Sequence, residues 1–473
     1  MIQTIIENLQ NPSEEFSPIP FWFLNDKLEK SELKRQMIEF CSKGVNGVIL
    51  HPRIGLPKDF EYLSDEYFEI IKFTVDTAKD LNMKIVLYDE GMYPSGSAHG
   101  EVVKCNPDFA SVGIKLTDNP SEGKVIAEYE DGYYLISKKC GGTIRGIHYG
   151  EDDEEDYAPL SADILNPKAV DVFIELTHEQ YFKHLSEYFG STIIGFFTDE
   201  PCILGRGTHG YYEWTEGLEN DILSLGKDPS NLRELFEGKT NDTIEIYRNL
   251  ISKKLNENYY KKLSAWCEKH NIALMGHPKE SDDIDEETYF RIPGQDLVFR
   301  WVSPEKNRVE GIHSVQAKCT SDAARHTGKR RNSNECFGVC SSEGIPWYFT
   351  ADDMKWYIDW LGVRGVNMFI PHAFYYSIRD VRKDERPPDV GPNNIWWKYY
   401  KNFSDYIKRV SYIMTDSVNC AKTAILCKSG DLKPEIAKDF YETQKEFNYL
   451  PYSLLDRAEV KNNRLCIGGY EYE

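Results

Sequence analysis

"IIGFFTDEP" (193–201) is the stretch on which the fold turns. Ile193, Ile194, Gly195, Phe196 and Phe197 make a short, mostly apolar run, which reads as a strand buried on both faces. Thr198, Asp199 and Glu200 follow at once. Pro201 has no N–H to give to a ladder, so the strand stops there. Two acids are costly to bury unpaired. The chain therefore carries two carboxylates to the rim of a buried sheet, where they form either a structural ion pair or a catalytic position.

The same motif recurs on both sides of this stretch. "FSPIPFWFL" (16–24), "GVNGVILHPR" (44–53) and "KIVLYDE" (84–90) precede it as strands. "IALMGHP" (272–278), a weaker "QDLVFRWV" (295–302), a polar "KRRNSNECFG" (329–338) and "VNMFIPHAFYYS" (366–377) follow it. Helical spacing falls between them. Leu33, Met37, Phe40 and Cys41 share one face ahead of a capping Gly44, and Tyr67, Ile71, Val75 and Ala78 share another. Further helices are predicted at 167–190, 310–327, 352–365 and 394–414. Alternating strands and helices predict a parallel sheet with right-handed crossovers. Eight such units predict an α/β fold of the (β/α)8 TIM-barrel type. A doubly wound open sheet is the alternative, and the enlarged loops at strand C-termini favour closure.

This reading assigns residues 1–416 to the barrel, with a small β-rich insertion at about 100–165 and a helical insertion at about 205–240. The pattern restarts at 417–473 with a strand, a helix and a hairpin. That segment reads as the start of a second, partial α/β domain that is longer in relatives.

Composition narrows the partners. The chain has 473 residues, 41% of them hydrophobic, and a formal net charge of -21. Such acidity argues against nucleic acid or an anionic membrane as partner. Aromatic residues make up 13%, with thirty Tyr and nine Trp, an excess that suits stacking on sugar rings as well as a large α/β core. The eleven cysteines are scattered without a C-x-x-C pair, and "CFGVC" (336–340) has no matching second pair. Reduced thiols in a cytosol are expected rather than zinc. The N-terminus lacks the basic and apolar regions of a signal peptide, and no apolar run is long enough for a membrane span, so a cytoplasmic protein is expected. "GRGTHG" (205–210) matches a dinucleotide fingerprint, but it lies past a proline and leads into "YYEW" rather than a helix. It reads as a loop over the active face, with no nucleotide cofactor.

In a TIM barrel the C-terminal ends of the strands carry the chemistry. Polar groups gather there: His51 and Arg53, Asp89 and Glu90, Asp199 and Glu200, His277, Asn334 and Glu335, and His372. Hydrolysis of a glycosidic bond needs two carboxyl groups flanking it, one protonated and one ionised. Glu200 after strand four and Glu335 after strand seven sit across the barrel mouth and are the candidate catalytic pair. Arg325, Arg330 and Arg331 are the counter-charges if the two acids are merely structural. The remaining strand-end groups are candidate substrate contacts, and Trp22, Trp301 and Trp347 are candidate stacking platforms. Carboxylates favour a hard cation, calcium above all, over zinc, and no metal ligands are assigned.

"PFWFLND", "GVNGVILHPRIGL", "YLSDEYFEIIKFTVDTAKDLNMKIVLYDEGMYPSG", "FFTDEP" and "NECFG" together resemble glycoside hydrolase family 106, the α-L-rhamnosidase-type enzymes, over roughly residues 15–415. The resemblance implies a (β/α)8 catalytic domain, an inverting reaction assisted by calcium, and Glu200 and Glu335 as acid and base. The chain is shorter than full-length polysaccharide-degrading members, so an enzyme trimming oligosaccharides or small glycosides is expected. A retaining β-galactosidase-like glycosidase, a non-catalytic sugar-binding barrel and a metal-dependent hydrolase using His51, His277 or His372 are the alternatives. Sugar, linkage and oligomeric state are not specified by these patterns.

Overall fold

The computed structural model describes residues 2–338, 345–385 and 389–473; Cys340 of "CFGVC" lies outside them. Eight parallel strands form the barrel: β1 (Phe21–Leu24), β2 (Gly47–Pro52), β3 (Lys84–Tyr88), β4 (Ile193–Thr198), β5 (Ala273–Gly276), β6 (Ile292–Asp296), β7 (Ser333–Cys336) and β8, which runs in two pieces, Met368–Pro371 and Phe374–Tyr375. The break in β8 closes the barrel. Its first piece pairs with β7 and its second with β1, and the Ile19 amide donates to the Phe369 carbonyl at 3.0 Å. Among the described residues the barrel is thus nearly closed, with few unpaired strand edges to offer another chain.

Alternation along each strand sorts side chains into two cores. Phe21, Phe23, Ile49, Val86, Tyr88, Phe197, Met275 and Ile370 fill the barrel interior. Trp22, Leu50, Leu87, Phe196 and Leu274 face outward and pack against helical residues such as Leu33, Met37, Phe40, Ile71 and Val75. Each fully buried side chain of this size contributes roughly 1.5–3 kcal/mol. The helices begin where capping predicts. The Ser64 hydroxyl accepts from the Tyr67 amide at the start of Asp65–Asp80, and Thr350 with Asp353 forms a capping box on Ala351–Gly362.

Several boundaries differ from the sequence reading. The sixth strand lies at Ile292–Asp296, three residues before the expected run, and Phe299–Trp301 is a 3-10 turn. In the insertion, Val112–Thr117, Lys124–Glu128 and Tyr134–Lys139 form an antiparallel sheet as expected, but Tyr212–Trp214 joins it as a fourth strand. The second insertion is therefore not purely helical. "TIRGIHYG" contributes isolated bridges at Thr143 and Arg145 rather than a strand.

At the C-terminus, Ala424–Cys427 and Asn448–Pro451 pair in parallel across the helix Pro434–Glu442, and three short antiparallel strands follow. Ile425, Cys427, Phe447 and Tyr449 bury against Val315, Cys319 and Ala323 of the barrel helix His313–His326. Cys41, Cys105, Cys140, Cys202, Cys267, Cys319, Cys420, Cys427 and Cys466 are free thiols. Among those residues no helix is long and apolar enough to cross a membrane.

Candidate active site

The inward face of the barrel changes character at its C-terminal end. Two residues beyond Ile49, Phe197, Met275 and Ile370, which point inward, stand His51, Asp199, His277 and His372. Asp296 and Glu335 continue the same inward rows of β6 and β7, where they occupy paired positions on neighbouring strands. The period of two thus stacks a polar layer directly on an apolar one. A pocket of about 360 Å³ opens above it, lined by His51, Arg53, Tyr93, Arg145, Asp199, Glu200, Arg206, Asp296, Arg300, Trp301, Glu335 and His372, with Phe21, Val298 and Gly338.

Glu200 reaches this pocket by a different route. Its place in the alternation opposes that of Asp199, yet both line the pocket. The backbone at Glu200 takes φ 39°, in the left-handed region. A non-glycine residue there costs on the order of 1–3 kcal/mol, a strain that clusters at functional sites. The Tyr93 hydroxyl donates to Glu200 Oε2 at 2.5 Å and fixes the carboxyl. Gly276 of β5 makes room for the neighbouring strand β4. Its φ is 125°, and a Cβ there would lie 1.9 Å from the Thr198 carbonyl oxygen.

Four carboxylates meet in this space. Tyr88 donates to Asp199 Oδ2 at 2.6 Å, and His277 Nδ1 lies 3.0 Å from Asp199 Oδ1. Glu335 is 3.8 Å from His277 Nδ1 through Oε2 and 3.9 Å from His372 Nε2 through Oε1. Burial, then the charges of Asp296 and Asp199, pushes Glu200 well above the ordinary carboxylate range. Glu335 is driven up by burial and by Asp296, Asp199 and Glu200. Asp296 is raised to about 6 by burial and by Asp199, with the His277 ring opposing. Like charges this close cannot all ionise, so the site holds at least one carboxyl proton near neutral pH. That is the requirement for a general acid, and the remaining carboxylates supply the negative field that favours a developing positive charge.

Cations frame the opposite wall. Arg53 grips Glu385 with Nε to Oε2 at 3.0 Å and Nη2 to Oε1 at 3.1 Å, and Arg145 Nη2 reaches Oε1 at 3.0 Å. Burial works to raise Glu385, but Arg53 and Arg145 hold it down to about 2. The His51 Nδ1 lies 2.8 Å from the Pro52 carbonyl and donates to it, so Nε2, 3.3 Å from Arg53, accepts. Burial and Arg53 keep this ring neutral. Arg206 pairs with Asp153, and Arg300 has no ion-pair partner among the described residues.

Of the residues picked out by sequence, Glu200, Glu335, Asp199, His51, Arg53, His372 and Trp301 line the pocket. His277 lies beneath it on Asp199. The others are elsewhere. Trp22 faces outward and donates to Gln36 at 3.0 Å. Asp89 accepts from Ser95 at 2.6 Å behind the pocket. Glu90 accepts the backbone amides of Gly91, Ser97, Ala98 and His99, which makes it the anchor of that loop. Asn334 points to the helix side and is buried. The half-buried Trp347 donates to the Lys383 carbonyl at 3.3 Å. Sequence reasoning did not select Asp296, Tyr93, Arg145, Arg206, Arg300 or Glu385. Asp296 carried a usable signal, since it stands four residues after the inward Ile292.

No protein-family model matches the chain. A putative β-glucuronidase of Formosa agariphila is 21% identical over 338 residues, 66% of this chain and 26% of that protein. The chain therefore spans about a quarter of the length of that curated relative. Among solved structures, the rhamnosidase from Novosphingobium sp. PP1Y superposes with a TM-score of 0.70 at 12% identity, covering 99% of this chain and 66% of that one. The β-galactosidase from the psychrophilic Marinomonas ef1 superposes with a TM-score of 0.53 at 8% identity, covering 92% and 70%. At such identities the likeness is one of fold, an α/β barrel with helices outside.

Proposed function

We propose that this barrel is a glycoside hydrolase that removes a terminal sugar through Glu200 and Glu335. One observation carries the reading: a half-buried carboxyl just past β4, Glu200, and a buried one on β7, Glu335, line one open pocket, and burial, reinforced by Asp296 and Asp199, raises Glu200 towards its protonated form. Glu200 gives that proton to the glycosidic oxygen as the bond to the anomeric carbon breaks. Glu335 acts at the other face of the sugar, taking a proton from the attacking water in an inverting reaction. Asp199 and Asp296 stabilise the positive charge that develops on the ring. The rhamnosidase and β-galactosidase folds support this chemistry on such a barrel, as does the name of the curated relative.

The finer reading is an inverting α-L-rhamnosidase-like enzyme that uses calcium. The donors fit a hard cation. Ligating atoms of Asp199, His277 and Glu335 lie within 4.8 Å of one another, and Asp296 Oδ1 is buried without a hydrogen-bond partner. Asp199 and Asp296 would hold the ion, leaving Glu335 as the base. Bound there, calcium would supply positive charge that favours the ionised carboxylates and would orient sugar hydroxyls. Removing calcium with a chelator is expected to lower both the melting temperature and the activity, and re-addition to restore both.

A second reading follows from the guanidinia. Arg53, Arg145, Arg206 and Arg300 all line the pocket, and arginine matches a carboxylate in a bidentate fashion. They favour an acidic sugar, a uronate, as the group removed. A panel of aryl glycosides that includes α-L-rhamnoside, β-D-galactoside and β-D-glucuronide separates the readings. Wild type is run beside Glu200→Gln and Glu335→Gln. Turnover of one sugar, lost in Glu335→Gln and lowered in Glu200→Gln, supports the assignment; full activity in Glu335→Gln refutes it.

A further inference from the structure

A second cavity of about 500 Å³ adjoins the first. The two share Tyr93, Glu200, Arg206 and Trp301, whereas Asp199, Asp296 and Glu335 line the first alone. Glu200 is thus the one carboxylate of the catalytic cluster that faces both spaces. A glycosidic oxygen has a sugar on one side and a leaving group on the other, and its acid must stand at that junction. With the departing glycosyl unit beside Glu335, the geometry points to the second cavity as the leaving-group subsite.

Its walls say what it takes. Pro94, Ile203 and Leu204 give an apolar surface. Trp301, stacked on His313 with centroids 4.8 Å apart, adds an aromatic ring. The Lys279–Glu213 pair, 2.9 Å apart, lines the same space with a donor and an acceptor. Apolar faces with polar edges are the surface of a pyranose, and both volumes lie within the ~300–1,000 Å³ of small-molecule pockets. The subsite therefore takes another sugar residue, and the substrate is a disaccharide or longer saccharide. The glycine-rich loop at 205–210 supplies part of this wall through Gly205, Arg206 and Thr208. That is a use for the segment whose spacing resembled a nucleotide fingerprint.

This inference rests on the glycosidase reading, and the test separates the two. The sugar identified by the aryl-glycoside panel is presented as its glycosyl fluoride, which puts no sugar in the second cavity, and as a disaccharide, which does. Two variants alter that cavity away from the catalytic cluster: Thr208→Trp fills it, and Lys279→Met removes the polar donor. In both, the ratio of kcat/KM on the disaccharide to kcat/KM on the fluoride should fall at least about tenfold, because binding energy from the leaving sugar is used in the transition state. If that ratio stays within about twofold of wild type in both variants, the subsite is refuted while turnover of the fluoride preserves the glycosidase reading. If wild type hydrolyses neither compound, both fall together. If one variant fails to fold, the other makes the same measurement.

Discussion

Replacing Glu385 by Gln tests whether the arginine wall of the pocket is held by charge. The Glu385 carboxylate bridges Arg53 and Arg145 at 3.0–3.1 Å, with its side chain 13% exposed. The pair moves its pKa from 4.5 to about 2. At 1.36 kcal/mol for each pH unit, that displacement is worth about 3 kcal/mol of folding stability. Glutamine keeps the shape and one acceptor but leaves two guanidinia facing each other without a counter-charge. A loss of about 3–5 kcal/mol at pH 7 is expected, the range seen when one member of a buried pair is removed. The sign with pH follows from the lowered pKa. The contribution is complete above the unfolded value of 4.5 and is lost as pH falls towards 2. Between pH 4.5 and pH 3 wild type should lose about 2 kcal/mol relative to the variant. Urea unfolding of both proteins at pH 7, 4.5 and 3 measures this directly. A difference under about 0.5 kcal/mol at pH 7, or one that does not shrink between pH 4.5 and pH 3, would show that the bridge does not hold the wall.

Other perturbations follow from single contacts. Glu200→Gln removes the proton donor while keeping the side chain's size, and kcat/KM on an unactivated glycoside should fall about 10²–10⁴-fold. Steady-state assays with a nitrophenyl glycoside should show a smaller loss, since nitrophenolate needs little protonation; equal losses on both substrates contradict an acid role. Glu90→Ala strips the acceptor from four backbone amides and should cost about 3 kcal/mol or more. Chemical denaturation would read this, and a near-neutral result would mean that the loop at 91–99 is held by other contacts. Gly276→Ala forces a Cβ to within 1.9 Å of the Thr198 carbonyl oxygen at a φ of 125°. It should destabilise by more than the ~1 kcal/mol usual for glycine positions and displace His277 from Asp199. Denaturation and the residual activity of this variant test both effects.

The barrel was legible because most strands are apolar runs that stop at polar residues, and β1, β2, β3, β4, β5, β7 and β8 fall within the expected segments. The sixth strand was displaced for a physical reason. "QDLVFRWV" is the more apolar run, whereas the true strand contains Pro293 and Gly294, which weaken any propensity reading. Tertiary contacts make it a strand all the same. Gly294 donates its amide to the buried Glu287 at 3.1 Å, and β6 pairs with β7 over three residues. The displacement hid Asp296, which the sequence reading placed inside the strand rather than at its end. Arg145 and Glu385 were hidden differently. They come from loops, and Arg53 meets Glu385 across 332 positions of sequence, a distance over which no local periodicity speaks.

Alternation decides which strand-end residues work. Trp22 and Asn334 lie within β1 and β7 and Asp89 just past β3, but by alternation each falls on the outward row, and all three are buried. His51, Asp199, His277, Asp296, Glu335 and His372 fall on the inward row and gather at one pocket or directly under it. Glu200 is the exception, and its conformation explains it. A strand continued through residue 200 would aim its carboxyl away from Glu335. The left-handed turn at Glu200 and the hydroxyl of Tyr93 bring it back over the barrel mouth. Two adjacent acids on a strand would ordinarily face opposite sides of the sheet. Here the strand ends one residue early, so Asp199 and Glu200 reach the same space from different directions, and the second of them stands between two cavities.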